Sequence, residues 1–133
     1  MKFQGYAANA DQFVAELAEE LGLAEDVRRA ERILRSVLHG LRERLSVQAS
    51  ARLVAHLPMM IKAVYVDGWS LGRGRAGEGA FFEGPVEGAE GAPISGAEAV
   101  GAFFRALRRH VSADEAGALV AALPTRLVGL WRG

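Results

Sequence analysis

The sequence predicts an all-α fold: a compact helical bundle of about seven helices, made of two tandem related halves joined by a Gly-rich linker. Three observations predict it. Leu53-Val54-Ala55-His56-Leu57-Pro58 returns 66 residues later as Leu119-Val120-Ala121-Ala122-Leu123-Pro124, and the match runs without a gap from 36–65 to 102–131 with eight of 30 positions identical. Apolar residues step by three and four through both copies, the period of one helix face. Helix-start residues recur in the same columns, Ser46 with Ser112 and Pro58 with Pro124. Two copies are too few to bury a continuous core by stacking, so the halves are expected to pack face to face as one domain spanning 1–133.

Each element has its own justification. Asn9 followed by Gln12 reads as a capping pair, and Phe13, Leu17 and Leu21 form a one-sided stripe ended by Gly22, which predicts a first helix over about 10–21. Asp26 caps the next. There Val27, Ala30, Leu34, Val37, Leu41 and Leu45 mark a long spine over about 26–45, widened by Ile33 and Leu38. Ser46 ends that spine and opens a short helix. Pro58 lacks an amide hydrogen and clashes with the preceding turn, so the chain kinks or restarts there, with Met60, Ile61, Val64 and Tyr65 continuing an apolar face. This first copy covers about 10–66.

From 67 to 95 the chain holds eight of its 16 glycines and two of its four prolines, so regular helix is not expected in this linker. Ser95-Gly96-Ala97-Glu98 is a capping box that opens a second spine over about 96–110 on Val100, Phe103, Phe104 and Leu107. Ser112-Ala113-Asp114-Glu115 is another capping box. Pro124, followed by Leu127, Leu130 and Trp131, completes the second copy over 96–133.

Composition excludes several classes of function. Half of the 133 residues are hydrophobic, as in a globular protein, and 16 basic side chains balance 16 acidic ones. A net charge of zero removes the generic electrostatic argument for nucleic acid or an anionic membrane. No cysteine is present, so disulfides, thiol nucleophiles and cysteine metal sites are excluded. The opening residues lack the apolar run of a signal peptide, and no 18 apolar residues follow one another. A cytoplasmic protein without a membrane segment is expected.

Charge is segregated along the chain. Residues 1–27 carry one base and six acids and 28–52 seven arginines and two acids, while 67–98 carry two bases and six acids and 99–133 five and two. Arg28, Arg29, Arg32 and Arg35 form a candidate phosphate-contacting stripe, echoed by Arg105, Arg108 and Arg109. The preferred reading is that the acidic first helix lies beside the basic spine and neutralises it, since no aromatic stacking set accompanies the arginines.

Other candidate chemistry is weak. Gly72-Arg73-Gly74-Arg75-Ala76-Gly77 spells the dinucleotide pattern, but that motif needs a strand before it and a helix after it; here it reads as flexible linker. His39, His56 and His110 fall in different columns of the repeat with no ligand spacing. Ser46 and Ser112 are caps. No catalytic residue, cofactor or metal is therefore assigned. Tyr65 and Trp131 share a column and are expected to cap the core. Trp69, past the helix at the Asp67-Gly68 turn, is an interface candidate.

The order of these signals resembles a bacterial and archaeal family catalogued as domain of unknown function 2267. The residues that carry the resemblance are Phe13, Leu17, the Gly22-Leu23 step, Leu38, Leu41, Arg44, Leu45, Ser46, Leu53, Leu57 and Pro58, with Ser112, Leu123 and Pro124 in the second half. The resemblance implies an all-helical fold and carries over no site residues. Members usually open their second half with a helix. Here that segment reads Phe81-Phe82-Glu83-Gly84-Pro85-Val86, where Gly84 and Pro85 oppose a stable helix. The expectation is a loop whose Phe81 and Phe82 plug the groove on the second copy; left unplugged, that groove is an interface for a partner or a second subunit.

The functional reading is a non-enzymatic module that binds another protein or itself through an apolar groove. A nucleic-acid binder using the arginine stripe is the first alternative, and a small-molecule or metal-dependent enzyme the second.

Overall fold

The computed structural model describes residues 3–69, 80–87 and 91–133. Among them lie eight helices: α1 (Phe3–Leu21), α2 (Val27–Arg44), α3 (Val47–Val54), α4 (Met59–Val66), α5 (Ala80–Glu83), α6 (Gly96–Arg108), α7 (Ala113–Ala122) and α8 (Thr125–Arg132). The described residues contain no strand, only an isolated antiparallel bridge between Pro85 and Ser95. The all-helical expectation holds, with eight helices in place of about seven. The added one is α5, a single turn inside the segment where no helix is expected, closed by the Gly84 and Pro85 that oppose its growth.

Local signals account for most boundaries. Asp26, Ser46, Ser95 and Ser112 each accept a hydrogen bond from the amide three residues on, at 3.1 Å in every case. Around Ser112 the box is reciprocal, because Glu115 accepts from the Ser112 amide at 2.8 Å. Pro58 and Pro124 stand just before α4 and α8 with extended ψ of 150° and 155°, so both restart the chain. Gly22, at φ +73°, ends α1 in a Schellman turn: its amide donates to Glu19 and the Leu23 amide to Ala18. The start of α1 is the exception. It begins at Phe3, well before the Asn9 and Gln12 pair, because one Asn inside an alanine-rich run costs only about 0.7 kcal/mol or less relative to Ala, which the continuing hydrogen-bond ladder offsets.

One apolar core joins both spines. α1 packs on α2 and on α6, and these two pack on each other; α4 covers α1 and α2, α5 and α8 cover α6, and α3 lies on α7. Leu17, Ile33, Leu38, Leu41, Phe103 and Leu107 are fully buried where they meet. Phe13 meets Phe103 edge-on at 5.9 Å, tying α1 to the second spine.

Several features recur at the same offset of 66. α4 and α8 have the same length and start at 59 and 125. Tyr65 and Trp131 are both buried. Arg42 donates to the Tyr65 carbonyl at 3.0 Å and Arg108 donates to the Trp131 carbonyl, which gives the shared arginine column a physical reason. Where the columns differ, they differ together: the Tyr65 hydroxyl bonds Ser50 Oγ at 2.6 Å in a buried site, and opposite Trp131 the column of Ser50 holds Ala116. Burial pushes the Tyr65 phenol up to about 12.

Candidate functional site

Six large hydrophobic side chains are exposed among the described residues: Phe3, Val27, Val47, Met59, Met60 and Val66. Four of them line one apolar groove of about 670 Å³ between the first turns of α1 and the length of α4, together with Tyr6, Ala7, Lys62 and Ala63. Phe3 is 72 % exposed, Met59 53 %, Met60 49 % and Val66 46 %. Exposed large hydrophobics on a protein surface are usually scattered singly; here four of the six share one face.

The groove follows from helix geometry. On α1, Phe13 and Leu17 point to the core, while Phe3, Tyr6, Ala7, Ala10 and Val14, spaced by three and four, form a second stripe turned toward α4. On α4, Ile61 and Tyr65 are buried, which leaves Met59, Met60 and Val66 around them facing outward. A second cleft of about 240 Å³ continues the groove toward α2, lined by Ala10, Asp11, Val14, Val27, Glu31, Leu34, Arg35, Met60, Ile61 and Val64. Met60 borders both. Of the six exposed hydrophobics only Val47 lies away from this line.

The second half has a different surface at the same register. The column of Met59, Met60 and Val66 in α4 holds Thr125, Arg126 and Arg132 in α8, and all six side chains are exposed. Over Trp131, between α7 and α8, there is a depression of about 610 Å³ bordered by the small residues Ala116, Gly117 and Ala121, with Arg108 and Arg132 at its edge.

The residues singled out by sequence are placed as follows. Phe82 is buried, with the Arg126 guanidinium 4.7 Å from its ring centre. Phe81 is half-buried against Gly40 of α2, under the Arg44 guanidinium at 4.4 Å. Both rings thus sit inward, and the open apolar groove lies on the first half of the chain. Trp69 is half-buried, its ring edge-on to Tyr65 at 5.9 Å.

The arginine stripe is divided. Arg29 is buried, paired with Glu87 and donating to the Ala92 carbonyl at 2.7 Å, while Arg32 reaches the same carboxylate at 3.5 Å. These bonds fasten residues 84–87 and 91–96 on α2, helped by the Val86 amide donating to Ile94 and the Gly96 amide to Gly84. Arg28 and Arg35 are exposed.

Among the described residues the acids of α1 make their ion pairs with the second spine, where the expectation had them paired with α2. Glu20 accepts from Arg105 at 2.9 Å and from Arg109 at 2.7 Å, and His110 donates to Glu16 at 2.6 Å, so the partner is the end of the second spine. The Arg109 and Arg105 hydrogen bonds hold the Glu20 carboxyl below the usual carboxylate range. His39 donates to the Val64 carbonyl at 3.1 Å, and His56 lies 3.7 Å from Glu115. Among the described residues no group of three His, Asp or Glu side chains could hold a metal ion. The Gly72–Gly77 pattern lies outside the described residues. No helix of the described residues is long and apolar enough to cross a membrane.

An all-helical bundle with a buried core and an exposed apolar groove is the class that fold and surface define. A family model described as "Uncharacterized conserved protein (DUF2267)" matches residues 10–131, and the chain belongs to that family. No curated protein matches it.

The groove was missed in the sequence because Met60 has the spacing of a core residue. A signal was present. At an offset of 66, Met59, Met60 and Val66 stand against Thr125, Arg126 and Arg132, which suits exposed rather than core positions.

Proposed function

We propose that this chain is a non-enzymatic cytoplasmic binding module, made of two related halves joined by a Gly-rich linker, and that its working surface is the apolar groove between α1 and α4. The observation that carries the reading is the contrast between α4 and α8. Two helices of equal length and register bury equivalent residues, Ile61 with Leu127 and Tyr65 with Trp131, yet one offers water Met59, Met60 and Val66 and the other Thr125, Arg126 and Arg132. Folding alone is served by either set, so the apolar set answers to a contact. Methionine suits such a surface, because its unbranched thioether adapts to the shape laid on it. The shared boundaries at an offset of 66 and the paired Arg42 and Arg108 bonds support two related halves. A nucleic-acid surface is less well supported, since Arg29 and Arg32 are engaged by Glu87.

The test moves the surface of α8 onto α4. The triple variant Met59→Thr, Met60→Arg, Val66→Arg is expected to keep its thermal midpoint within a few degrees, because substitutions at exposed positions change stability by about 0.5 kcal/mol or less each. It is expected to lose uptake of a neutral apolar dye such as Nile red. Unchanged dye uptake, or a collapse of the fold, would overturn the reading.

A further inference from the structure

We infer that the occupant of the groove is a second copy of this chain, placed about a two-fold axis near Met60. The inference rests on the reading of the groove as a binding surface, and charge placement carries it further. Met60 is where the two clefts join. On the α1–α4 side the charged lining residue is Lys62; on the α2 side they are Asp11, Glu31 and Arg35, a net single negative charge. The two ends of one apolar strip therefore carry opposite sign. Among the described residues Lys62, Asp11, Glu31 and Arg35 make no ion pair within this chain.

An isologous contact presents the same patch to itself with its ends reversed. Rotation about Met60 brings Lys62 of one copy to the end of the other that carries Asp11, Glu31 and Arg35, where the acids outnumber the base, and does so twice. Met60 meets its own equivalent at the centre, and Phe3 and Val66 of each copy are carried toward the α2 end of the other. A foreign partner has to supply this pattern; a second copy already has it. The zero net charge of the chain adds no long-range repulsion between copies.

The test uses the full chain in sedimentation equilibrium. Wild type is expected to show a concentration-dependent dimer, and Met60→Glu a monomer. Lys62→Glu alone, and Asp11→Lys with Glu31→Lys, each place like charges at both contacts and are expected to weaken the dimer by roughly tenfold. Mixing these two variants restores opposite charges at both contacts, so a heterodimer of near wild-type strength is expected from two weak homodimers. A dimer that survives Met60→Glu, or a mixture that associates no better than its components, overturns the inference. A monomeric wild type overturns it too. The groove reading then stands only if the monomer takes up Nile red and the triple variant does not, and it falls with the inference if neither does.

Discussion

Gly96→Ala tests how the segment before the second spine is locked in place. By propensity alone this change stabilises, since alanine is preferred over glycine in a helix by up to about 1 kcal/mol. The structure opposes it. A Cβ on Gly96 would run into the Phe81 carbonyl group, 2.7 Å from its carbon and 3.1 Å from the Phe82 Cα, and these are backbone atoms that no rotamer change can remove. The Phe81 carbonyl oxygen is nearer still, so the α5 turn must retreat by more than an ångström, and a radial gap of that size forfeits roughly half or more of the dispersion energy of the atoms it separates. Phe82, fully buried, stands to lose that share of the ~1.5–3 kcal/mol its burial supplies, on top of ~1–3 kcal/mol of overpacking strain. The net expectation is a loss of about 2 kcal/mol, or ~6–10 °C in midpoint for a chain of this size, by urea and thermal unfolding. Gly117→Ala is the control, because a Cβ there meets nothing within 4 Å; it is expected to stabilise by ~0.5–1 kcal/mol. A neutral or stabilising Gly96→Ala would show that α5 does not rest on α6, and the packing of Phe81 and Phe82 would have to be redrawn.

The remaining predictions concern polar contacts. Arg29→Ala strips a largely buried carboxylate of its main partner, and with Arg32 still at 3.5 Å the expected loss is about 3 kcal/mol in denaturant unfolding, against little for Arg28→Ala. Tyr65→Phe removes the buried bond to Ser50 and is expected to destabilise by about 1 kcal/mol. Because burial raises the Tyr65 phenol from 10 to about 12, its contribution is intact below pH 10 and lost as pH rises through 12; circular dichroism of wild type should show a steeper alkaline limb than that of the Phe variant. Glu20 is the opposite case. Its folded pKa is depressed below 4.5 by Arg109 and Arg105, so its contribution is present above that pH and fades as pH falls through the folded value. Glu20→Gln should flatten the acid limb of the stability profile, and an unchanged limb would mean the exposed pair contributes nothing measurable.

Much of the fold was legible because its signals are local. Asp26, Ser46, Ser95 and Ser112 each bond an amide three residues away, Pro58 and Pro124 act through their own rings, and Gly22 through its own φ. The first turns of α1 were hidden because Asn9 carries the chemistry of a cap without acting as one. α5 was hidden because a single turn has no period to detect, and its hold comes from afar, Phe81 resting on Gly40 and Glu87 reaching Arg29 across 58 residues. The pairing of Glu20 with Arg109 spans 89 residues, so no local pattern could choose α6 over α2 as its partner. For the candidate groove, the apolar character of Met59 and Met60 was plain in the sequence. Their exposure was not, because it depends on how α4 docks against α1.

The most direct test of the groove is methyl carbon NMR on protein labelled at its three methionines, recorded from millimolar to micromolar concentration. A second copy lying on the groove predicts that the Met59 and Met60 methyl signals move together on dilution, in step with the fall in sedimented mass. Signals that hold their positions across the whole range would contradict it.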